Sequence, residues 1–353
     1  MLAAILLFPC KVYGLSAQRA ILLDANTGRV LYEKDADTKS LIASTTKIMT
    51  ALIVCEQCNV LDRVRIPQEA VGIEGSSIYL QAGEVLTVQD LLYGLMLHSG
   101  NDAAVALAIY CGGTVEGFAE LMNDKARSLQ MYDSRFVNPN GLDHPEHYST
   151  ARDMAKLAAY AMKNPIFAQT VSTKTIRSGQ RVFKNHNKLL WQLDGADGVK
   201  TGYTRAAGRI LVSSASRHGR RLVAVTINAP SDWSDHVALM ENGFAQFSEK
   251  QIIKAGQCLG TVSLIGGEQD TVDLVATEDF LYPTSEKEQL KVKLAEHGIV
   301  FAPVCKGQEA GHAYVLLDDQ VVGKVALAYG QTVEQNTTPK SSRWKWRFGK
   351  DIP

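Results

Sequence analysis

The sequence predicts an α+β domain followed by a small all-β domain. Up to residue 247, segments with apolar residues at helical spacing alternate with pairs of apolar strands that are joined by short turns. After Phe247 the helical periodicity largely disappears, and short alternating segments separated by turn residues continue to about residue 335. The length of 353 residues agrees with this division, because it exceeds that of one typical domain. We therefore expect one domain over 17–247 and a second over 248–335.

The composition excludes some classes of function. Apolar residues make up 46% of the chain, and 37 basic residues balance 37 acidic ones. This balance leaves no strongly basic surface for phosphates, so we expect no nucleic acid as a partner. Of the six cysteines, Cys55 and Cys58 are spaced as in a zinc site, but no second such pair completes one. We predict neither a metal nor a cofactor, and the cysteines imply no disulfide framework.

The two ends of the chain are predicted to lie outside these domains. Residues 2–8 form a short apolar run, and the stretch 14–17 offers small residues at which a signal peptidase could cut. The run is too short to span a bilayer, so we interpret 1–16 as a signal segment for export, with a truncated start as an open alternative. The cations and aromatic residues of 336–353 suit peripheral contact with a membrane surface, although their short length favours a frayed tail.

Local signals predict the first elements of the α+β domain. A hairpin is expected over 20–33, where Asn26 and Gly28 form the turn. It leads into a helix that starts near Ser44, because apolar residues recur at helical spacing from Ile48 onward.

The next helices are predicted from capping signals. Thr87 with Asp90 resembles a capped helix start, and Asp102 opens the helix after it. Ser99 and Asn101 therefore occupy a tight connection between two helices. Further helices are predicted after Thr114, from Thr150 and over 231–247.

A turn-rich loop and a hairpin complete the domain. The loop over 138–145 is of the kind that often lines a site, and we expect His144 and His147, which precede Thr150, to be solvated. A strong hairpin is predicted over 208–227, and the residues from Gly198 to Gly202 lead into it.

Ser44 and Lys47 form a candidate nucleophile and base. Residues three apart lie on one face of a helix, so the amine of Lys47 can reach the hydroxyl of Ser44. A lysine can take the serine proton if burial or a second cation lowers its pKa toward neutrality. The helix amino terminus also suits a developing oxyanion. Taken alone, the pair is equally consistent with a helix cap beside a solvated lysine.

Two further motifs follow in order and decide between these interpretations. Together with Ser-x-x-Lys at 44–47, Ser-Gly-Asn at 99–101 and Lys-Thr-Gly at 200–202 resemble the motif triplet of the penicillin-binding proteins and serine β-lactamases. The second motif is also written with Asp in the middle, where this chain has Gly100.

The residues around the motifs narrow the resemblance to one family. The stretches 43–50, 75–80, 98–103 and 198–204 resemble those of the low-molecular-mass D-alanyl-D-alanine carboxypeptidases of bacterial cell walls. The resemblance runs from about residue 20 to residue 247. It implies an α/β/α sandwich with an antiparallel sheet, of the β-lactamase and transpeptidase type, with a small β domain behind it.

The same resemblance implies roles for the first two motifs. The substrate would be the D-Ala-D-Ala end of a peptidoglycan stem peptide, and β-lactam antibiotics would inhibit covalently at the same serine. Ser44 would attack the scissile carbonyl with Lys47 as the base, and Ser99 would relay a proton to the leaving D-alanine. The Asn101 amide would bind Lys47 or the substrate backbone. Such an enzyme acts outside the cytoplasm, at the cell wall or the outer face of the membrane.

The third motif is implied to bind the substrate. Lys200 and Thr201 would bind its terminal carboxylate, and Lys200 would also help to keep Lys47 neutral. Gly202 has no side chain, so the substrate backbone can lie close and pair with this strand. The oxyanion hole would use the backbone N–H groups of Ser44 and Tyr203.

Three other functions use the same residues. A β-lactamase shares the nucleophile, but class A enzymes use a catalytic glutamate, and 138–162 holds only Glu146, outside a Glu-x-x-x-Asn pattern. A non-catalytic penicillin-sensing or wall-binding protein is disfavoured by the intact Lys47, Ser99 and Lys200. Endopeptidase cleavage of cross-links differs only in its leaving group, and the sequence does not separate it from carboxypeptidase action.

Overall fold

The computed structural model describes residues 14–295 and 298–337. These residues form two compact units, one that ends at Ser248 and one that begins at Glu249. The predicted signal segment up to residue 13, and the predicted tail from residue 338, lie outside the described residues. Within the described ranges no single helix is long and apolar enough to cross a membrane, although the bent pair 101–112 and 115–128 reaches that length together.

The first unit consists of helices packed around an antiparallel sheet. Its helices are α1 (Lys47–Gln57), α2 (Val88–Leu97), α3 (Asn101–Gly112), α4 (Val115–Ser128), α5 (Ala151–Ala161), α6 (Pro165–Ser172), α7 (Leu189–Gln192) and α8 (Asp232–Gln246). Its strands are β1 (Arg19–Asp24), β2 (Val30–Lys34), β3 (Arg63–Arg65), β4 (Val85–Thr87), β5 (Thr175–Ser178), β6 (Arg181–Lys184), β7 (Ala196–Thr204), β8 (Gly208–Arg217) and β9 (Arg220–Ile227). Two 3₁₀ turns, Ala43–Thr46 and Gln68–Ala70, complete the list, and we call the first the serine turn.

The central sheet has helices on both faces. Its five strands lie in the order β2-β1-β9-β8-β7, and all neighbouring strands are antiparallel. Successive residues of a strand point to opposite faces. In β1, Ile21 therefore belongs to the core that includes Ile48 of α1, whereas Leu22 packs in the core that includes Leu239 of α8. This arrangement confirms the α/β/α sandwich.

The capping signals located the helices well. The Thr87 hydroxyl accepts a bond from the Asp90 amide at 3.1 Å, and the Asp90 carboxylate accepts one from the Thr87 amide at 3.1 Å. Thr150 caps α5 in the same way, through the amide of Asp153. The predicted helix at Ser44 differs from the structure, because its first residues form the serine turn and the α-helix begins at Lys47.

Helix α6 was missed by the sequence analysis. Its amino end carries a recognisable signal, since the Asn164 side chain accepts bonds from the amides of Ile166 and Phe167. Pro165 follows at the first helical position, where its missing N–H group has no cost.

The second unit is built from strands, as predicted. They are β10 (Ser248–Ile253), β11 (Cys258–Ile265), β12 (Thr271–Ala276), β13 (Phe280–Thr284), β14 (Leu290–Leu294), β15 (Val300–Phe301), β16 (Glu309–Leu317) and β17 (Gln320–Tyr329). Six of them form a sheet in the order β14-β16-β17-β12-β11-β15. This unit has a hydrophobic core of its own, to which Val272, Val315 and Leu327 belong.

Candidate active site

The serine turn and α1 bring the Ser44 hydroxyl and the Lys47 amine together. Ser44 is half-buried in the turn, and Lys47 is fully buried as the first residue of α1. The Nζ atom of Lys47 lies 3.0 Å from Ser44 Oγ. It also donates to Asn101 Oδ1 and to the carbonyl oxygen of Asn140, both at 2.6 Å. These contacts fix the amine beside the hydroxyl.

The two lysines of the site both have lowered pKa values. Burial lowers the pKa of Lys47 well below its ordinary value, the positive charge of Lys200 lowers it further, and the negative charge of Asp102 opposes this. Burial alone lowers the pKa of Lys200 to about 7. Burial and the neighbouring charge therefore favour the uncharged form of Lys47, and neutral pH lies close to the pKa of Lys200.

The second motif lies in the connection between α2 and α3. Ser99 is buried and has a φ of +65°. Asn101 begins α3, and its side-chain amide donates to the Glu74 carbonyl at 2.5 Å. Because its amide oxygen accepts from Lys47, Asn101 links the Lys47 amine to the loop around Glu74. A Cβ atom at Gly100 would lie 2.8 Å from an oxygen of Asp102, so this chain has no room there for a side chain.

Asp102 fastens the loop over 74–80 to the start of α3. Its buried carboxylate accepts bonds from the Ser77 hydroxyl at 2.6 Å, from the Ile78 amide at 3.0 Å and from the Leu80 amide at 3.1 Å. The loop that supplies the Glu74 carbonyl is thus held by a charged acceptor one residue from Asn101. The sequence pattern indicates only that Asp102 opens a helix.

The third motif lies on β7, which is an edge strand of the central sheet. Lys200 and Gly202 are buried, Thr201 is half-buried, and the Tyr203 side chain is 66% exposed. In the described residues β7 pairs only with β8, so its other edge is open to an added strand. The Lys200 amine donates to the Thr201 carbonyl at 2.9 Å.

The structure gives Gly202 a second reason for lacking a side chain. A Cβ atom there would lie 3.2 Å from the Thr45 amide nitrogen and 3.3 Å from the Ile42 carbonyl oxygen. The glycine therefore lets β7 lie against the serine turn. This close approach places the β7 backbone beside Ser44.

Some of the predicted site residues are in direct contact and others are not. Lys47 contacts Ser44 and Asn101, and the charge of Lys200 acts on Lys47. Within the ranges that the structure describes, Ser99, Thr201 and Tyr203 form no hydrogen bond to Ser44 or Lys47.

His147 corrects an expectation from the sequence. It is 1% exposed rather than solvated, and its ring is hydrogen-bonded to the serine turn through Thr46. The Val137 amide donates to its Nδ1 atom at 3.2 Å, which leaves Nε2 as the donor to the Thr46 hydroxyl at 2.8 Å. Burial lowers the pKa of His147 to about 4, so the ring is neutral. His144 is exposed, as expected.

Glu146 is placed away from any catalytic role. Its carboxylate is about half exposed and forms an ion pair with Arg135 at 3.0 Å. Glu146, the only glutamate of 138–162, is therefore held in a surface ion pair and does not supply the catalytic carboxylate that a class A β-lactamase uses.

Comparisons with known proteins identify the family. A family model described as D-alanyl-D-alanine carboxypeptidase matches residues 9–231. The chain belongs to this family. A second model, described as the C-terminal domain of penicillin-binding protein 5, matches residues 247–335. The chain is thus a hydrolase of the D-alanyl-D-alanine carboxypeptidase family with a β-rich C-terminal region.

Individual relatives match most of the chain. D-alanyl-D-alanine carboxypeptidase DacF from Bacillus subtilis is 33% identical over 88% of this chain and 84% of its own length. DacC from Escherichia coli is 32% identical over 91% of this chain and 85% of its own length. The crystal structure of penicillin binding protein 5 from Haemophilus influenzae has a TM-score of 0.78 at 30% identity, covering 91% of this chain and 98% of that one. A Streptomyces DD-transpeptidase has a TM-score of 0.63 at 36% identity, covering 66% of this chain and 98% of that one.

Proposed function

We propose that this carboxypeptidase removes the C-terminal D-alanine from peptidoglycan stem peptides through an acyl-enzyme on Ser44. The observation that carries the proposal is the position of the Lys47 amine. A neutral amine has two N–H donors and one lone pair. The Asn101 amide oxygen and the Asn140 carbonyl can only accept, so they use both donors. The lone pair is left for the Ser44 proton, 3.0 Å away.

We infer the following course of reaction. Lys47 takes the proton as Ser44 Oγ attacks the carbonyl of the penultimate D-alanine. The proton passes through Ser99 to the nitrogen of the terminal D-alanine, which leaves as the amide bond breaks. Water hydrolyses the resulting ester, with the same amine as its base, and restores the Ser44 hydroxyl. The backbone N–H groups of Ser44 and Tyr203 would stabilise the oxyanion, since Gly202 lets β7 lie close to the serine turn.

The third motif would select the substrate. The Lys200 ammonium and the Thr201 hydroxyl would bind the terminal carboxylate, while the open edge of β7 pairs with the peptide backbone. Binding of a carboxylate favours the charged form of Lys200, whose pKa of about 7 leaves it half protonated in the free enzyme. A β-lactam presents a carbonyl and a carboxylate at similar positions, so it would acylate Ser44.

The proposed function also implies where the protein acts and what its two domains do. Peptidoglycan lies outside the cytoplasm, so we infer that the protein is exported and acts at the cell wall or the outer face of the membrane. Residues 17–247 would form the catalytic domain. The β-rich domain over 248–335 would hold it at a set distance or bind a partner.

The direct test measures two products of Ser44 chemistry. The full-length protein is incubated with diacetyl-Lys-D-Ala-D-Ala, and free D-alanine is measured, while penicillin labelling is followed by intact mass. Ser44→Ala should reduce D-alanine release by at least roughly 1000-fold and abolish the penicilloyl adduct. Ser128→Ala, an exposed serine in α4, is the matched control. Rapid penicillin turnover without D-alanine release would instead indicate a β-lactamase.

A further inference from the structure

Two cysteine side chains meet where α1 and α3 end. Cys58 directly follows the last residue of α1, and Cys111 is the penultimate residue of α3. The Cys111 thiol donates to the side-chain oxygen of Gln57, the residue before Cys58, at 3.6 Å. The Cys58 thiol is in turn hydrogen-bonded to the Cys111 sulfur. The two thiols are therefore neighbours in space although they are far apart in the chain.

The surroundings hold this pair together at the protein surface. Tyr110, the residue before Cys111, donates its hydroxyl to the Asp62 carboxylate at 2.9 Å, and Asp62 lies in the segment that follows Cys58. Both thiols pack against the main hydrophobic core of the first unit, and both are half-buried. Cys55, one turn earlier in α1, is 7% exposed. A small reagent in solution can thus reach the pair more easily than it can reach Cys55.

The hydrogen bond gives the two thiols different reactivity. The bond from Cys58 lowers the pKa of Cys111, although burial opposes this effect. The same bond raises the pKa of Cys58, and burial and the negative charge of Asp62 raise it further. The thiolate, not the thiol, is the nucleophile in disulfide exchange. Cys111 is therefore the thiol that attacks first, and Cys58 is placed to resolve the product.

We propose that Cys58 and Cys111 form a redox-dependent disulfide that joins α1 to α3. The oxidant is a disulfide R–S–S–R, such as oxidised glutathione. The Cys111 thiolate attacks one of its sulfurs, the S–S bond breaks, and one RSH leaves with the proton that Cys111 lost. Cys58 then attacks the Cys111 sulfur, and the second RSH leaves with the Cys58 proton. The protein is oxidised by two electrons, and the oxidant is reduced to two thiols.

The disulfide would tie together two helices whose other ends form the proposed active site. Helix α1 begins at Lys47 and α3 at Asn101, and these two side chains are bonded at 2.6 Å. The loop that Cys58 and Cys111 would close contains α2 and the second motif. Such a cross-link removes conformational freedom from the unfolded chain, and more of it for a longer loop. We therefore expect the disulfide to stabilise the first unit without contacting the reacting atoms. The proposed export would place the protein where such oxidants persist.

The test compares the reduced and the oxidised full-length protein. Reduced protein is desalted, incubated with excess oxidised glutathione, alkylated with iodoacetamide, and digested with trypsin and a protease that cuts after glutamate. Cleavage after Glu56 separates Cys55 from Cys58, so mass spectrometry identifies which thiols are linked. We expect a peptide pair that is linked through Cys58 and Cys111. The unfolding temperature of the oxidised protein should be higher than that of the reduced protein by roughly 5–10 °C.

Cysteine variants separate this pair from the other thiols. Cys58→Ala and Cys111→Ala should each abolish the linked peptides and the gain in unfolding temperature, whereas Cys305→Ala, which removes an exposed cysteine of the second unit, should keep both. In the unaltered protein, a lasting glutathione adduct on either cysteine, or a link to Cys55, would overturn the pairing. A Cys58–Cys111 link that leaves the unfolding temperature unchanged would overturn its stabilising role. Neither measurement uses the Ser44 reaction, so failure of the proposed function would be seen separately, as absent D-alanine release.

Discussion

Single residues of the site are held in backbone conformations that are unfavourable for most side chains. Ala43, which precedes the proposed nucleophile, has a φ of +45°, and Ser99 has a φ of +65°. Non-glycine residues in this region cost roughly 1–3 kcal/mol each, and such strain is concentrated at functional sites. Both residues are buried, so the surrounding structure fixes the strained turns that present Ser44 and the Ser99 hydroxyl.

Gly141 gives a test of this tight packing around the serine turn. Its φ is +88°, and a Cβ atom there would lie 1.9 Å from the Ala43 carbonyl oxygen. Gly28 has a φ of +75° but open space around its Cβ position. Both substitutions to alanine add strain of about 1–2 kcal/mol, but only Gly141→Ala must also displace the turn. We expect Gly141→Ala to lower the rate of penicillin acylation at least ten-fold and Gly28→Ala to change it less than two-fold. Equal rates in the two variants would contradict the proposed packing.

The two lysines predict how the reaction depends on pH. Lys47 must be neutral to act as the base, so kcat/KM should fall when the pH drops below its lowered pKa. Lys200 must be charged to bind the carboxylate, so kcat/KM should also fall as the pH rises above about 7. Arginine stays charged throughout this range, and Lys200→Arg should therefore remove the alkaline decline, with a maximum lowered roughly ten-fold by the larger side chain. An unchanged alkaline limb in Lys200→Arg would assign that titration to another group.

The site is assembled from secondary-structure elements and loops that are distant from one another in the chain. The amine of Lys47 at the start of α1 contacts Asn101 at the start of α3 and the carbonyl of Asn140, 93 residues away in sequence. β7 adds the third motif through its contact at Gly202. Because Asn101 contacts both Lys47 and the loop over 74–80, a change at the contact between this loop and α3 should reach Lys47.

Asp102→Asn tests this connection. The carboxylate accepts from four protein donors, whereas an asparagine turns an N–H group toward at least one of them, so we expect a loss of about 2 kcal/mol in stability. Removing the negative charge also lowers the pKa of Lys47 further, which should move the acid limb of kcat/KM to lower pH. Thermal unfolding and the pH profile of acylation measure the two effects. Asp62→Asn, which removes a surface carboxylate that accepts from Tyr110, should leave the acid limb in place.

The sequence predicted what depends on local signals, and it missed what depends on packing. Capping residues located α2 and α5, and the first two motifs named Lys47 and Asn101, whose side chains bond to each other beside Ser44. The Asn140 carbonyl could not be found, because a backbone acceptor carries no side-chain signature. His147 was misplaced for a related reason: its burial under Thr46 depends on how the loop folds back, and the loop composition indicates only a turn.

At the scale of the molecule, the two units have separate hydrophobic cores. The Streptomyces structure is matched over 98% of its own length, but the match covers only 66% of this chain. The matched share of this chain is thus close to the share that the first unit occupies. The boundary itself is marked by Phe247, which is 6% exposed and packs in the core beneath α8.

A chain ending at Ser248 should therefore retain the activity. It keeps Phe247, whose carbonyl accepts from the buried Arg220 guanidinium. We expect D-alanine release from a soluble peptide within about three-fold of the full-length rate, because every residue of the proposed mechanism lies in the first unit. A chain ending at Met240 loses this bond and the burial of the Phe247 ring, which stabilises by roughly 2 kcal/mol or more, so it should unfold at a lower temperature. A chain ending at Ser248 that is folded by circular dichroism but inactive would show that catalysis needs the β-rich unit.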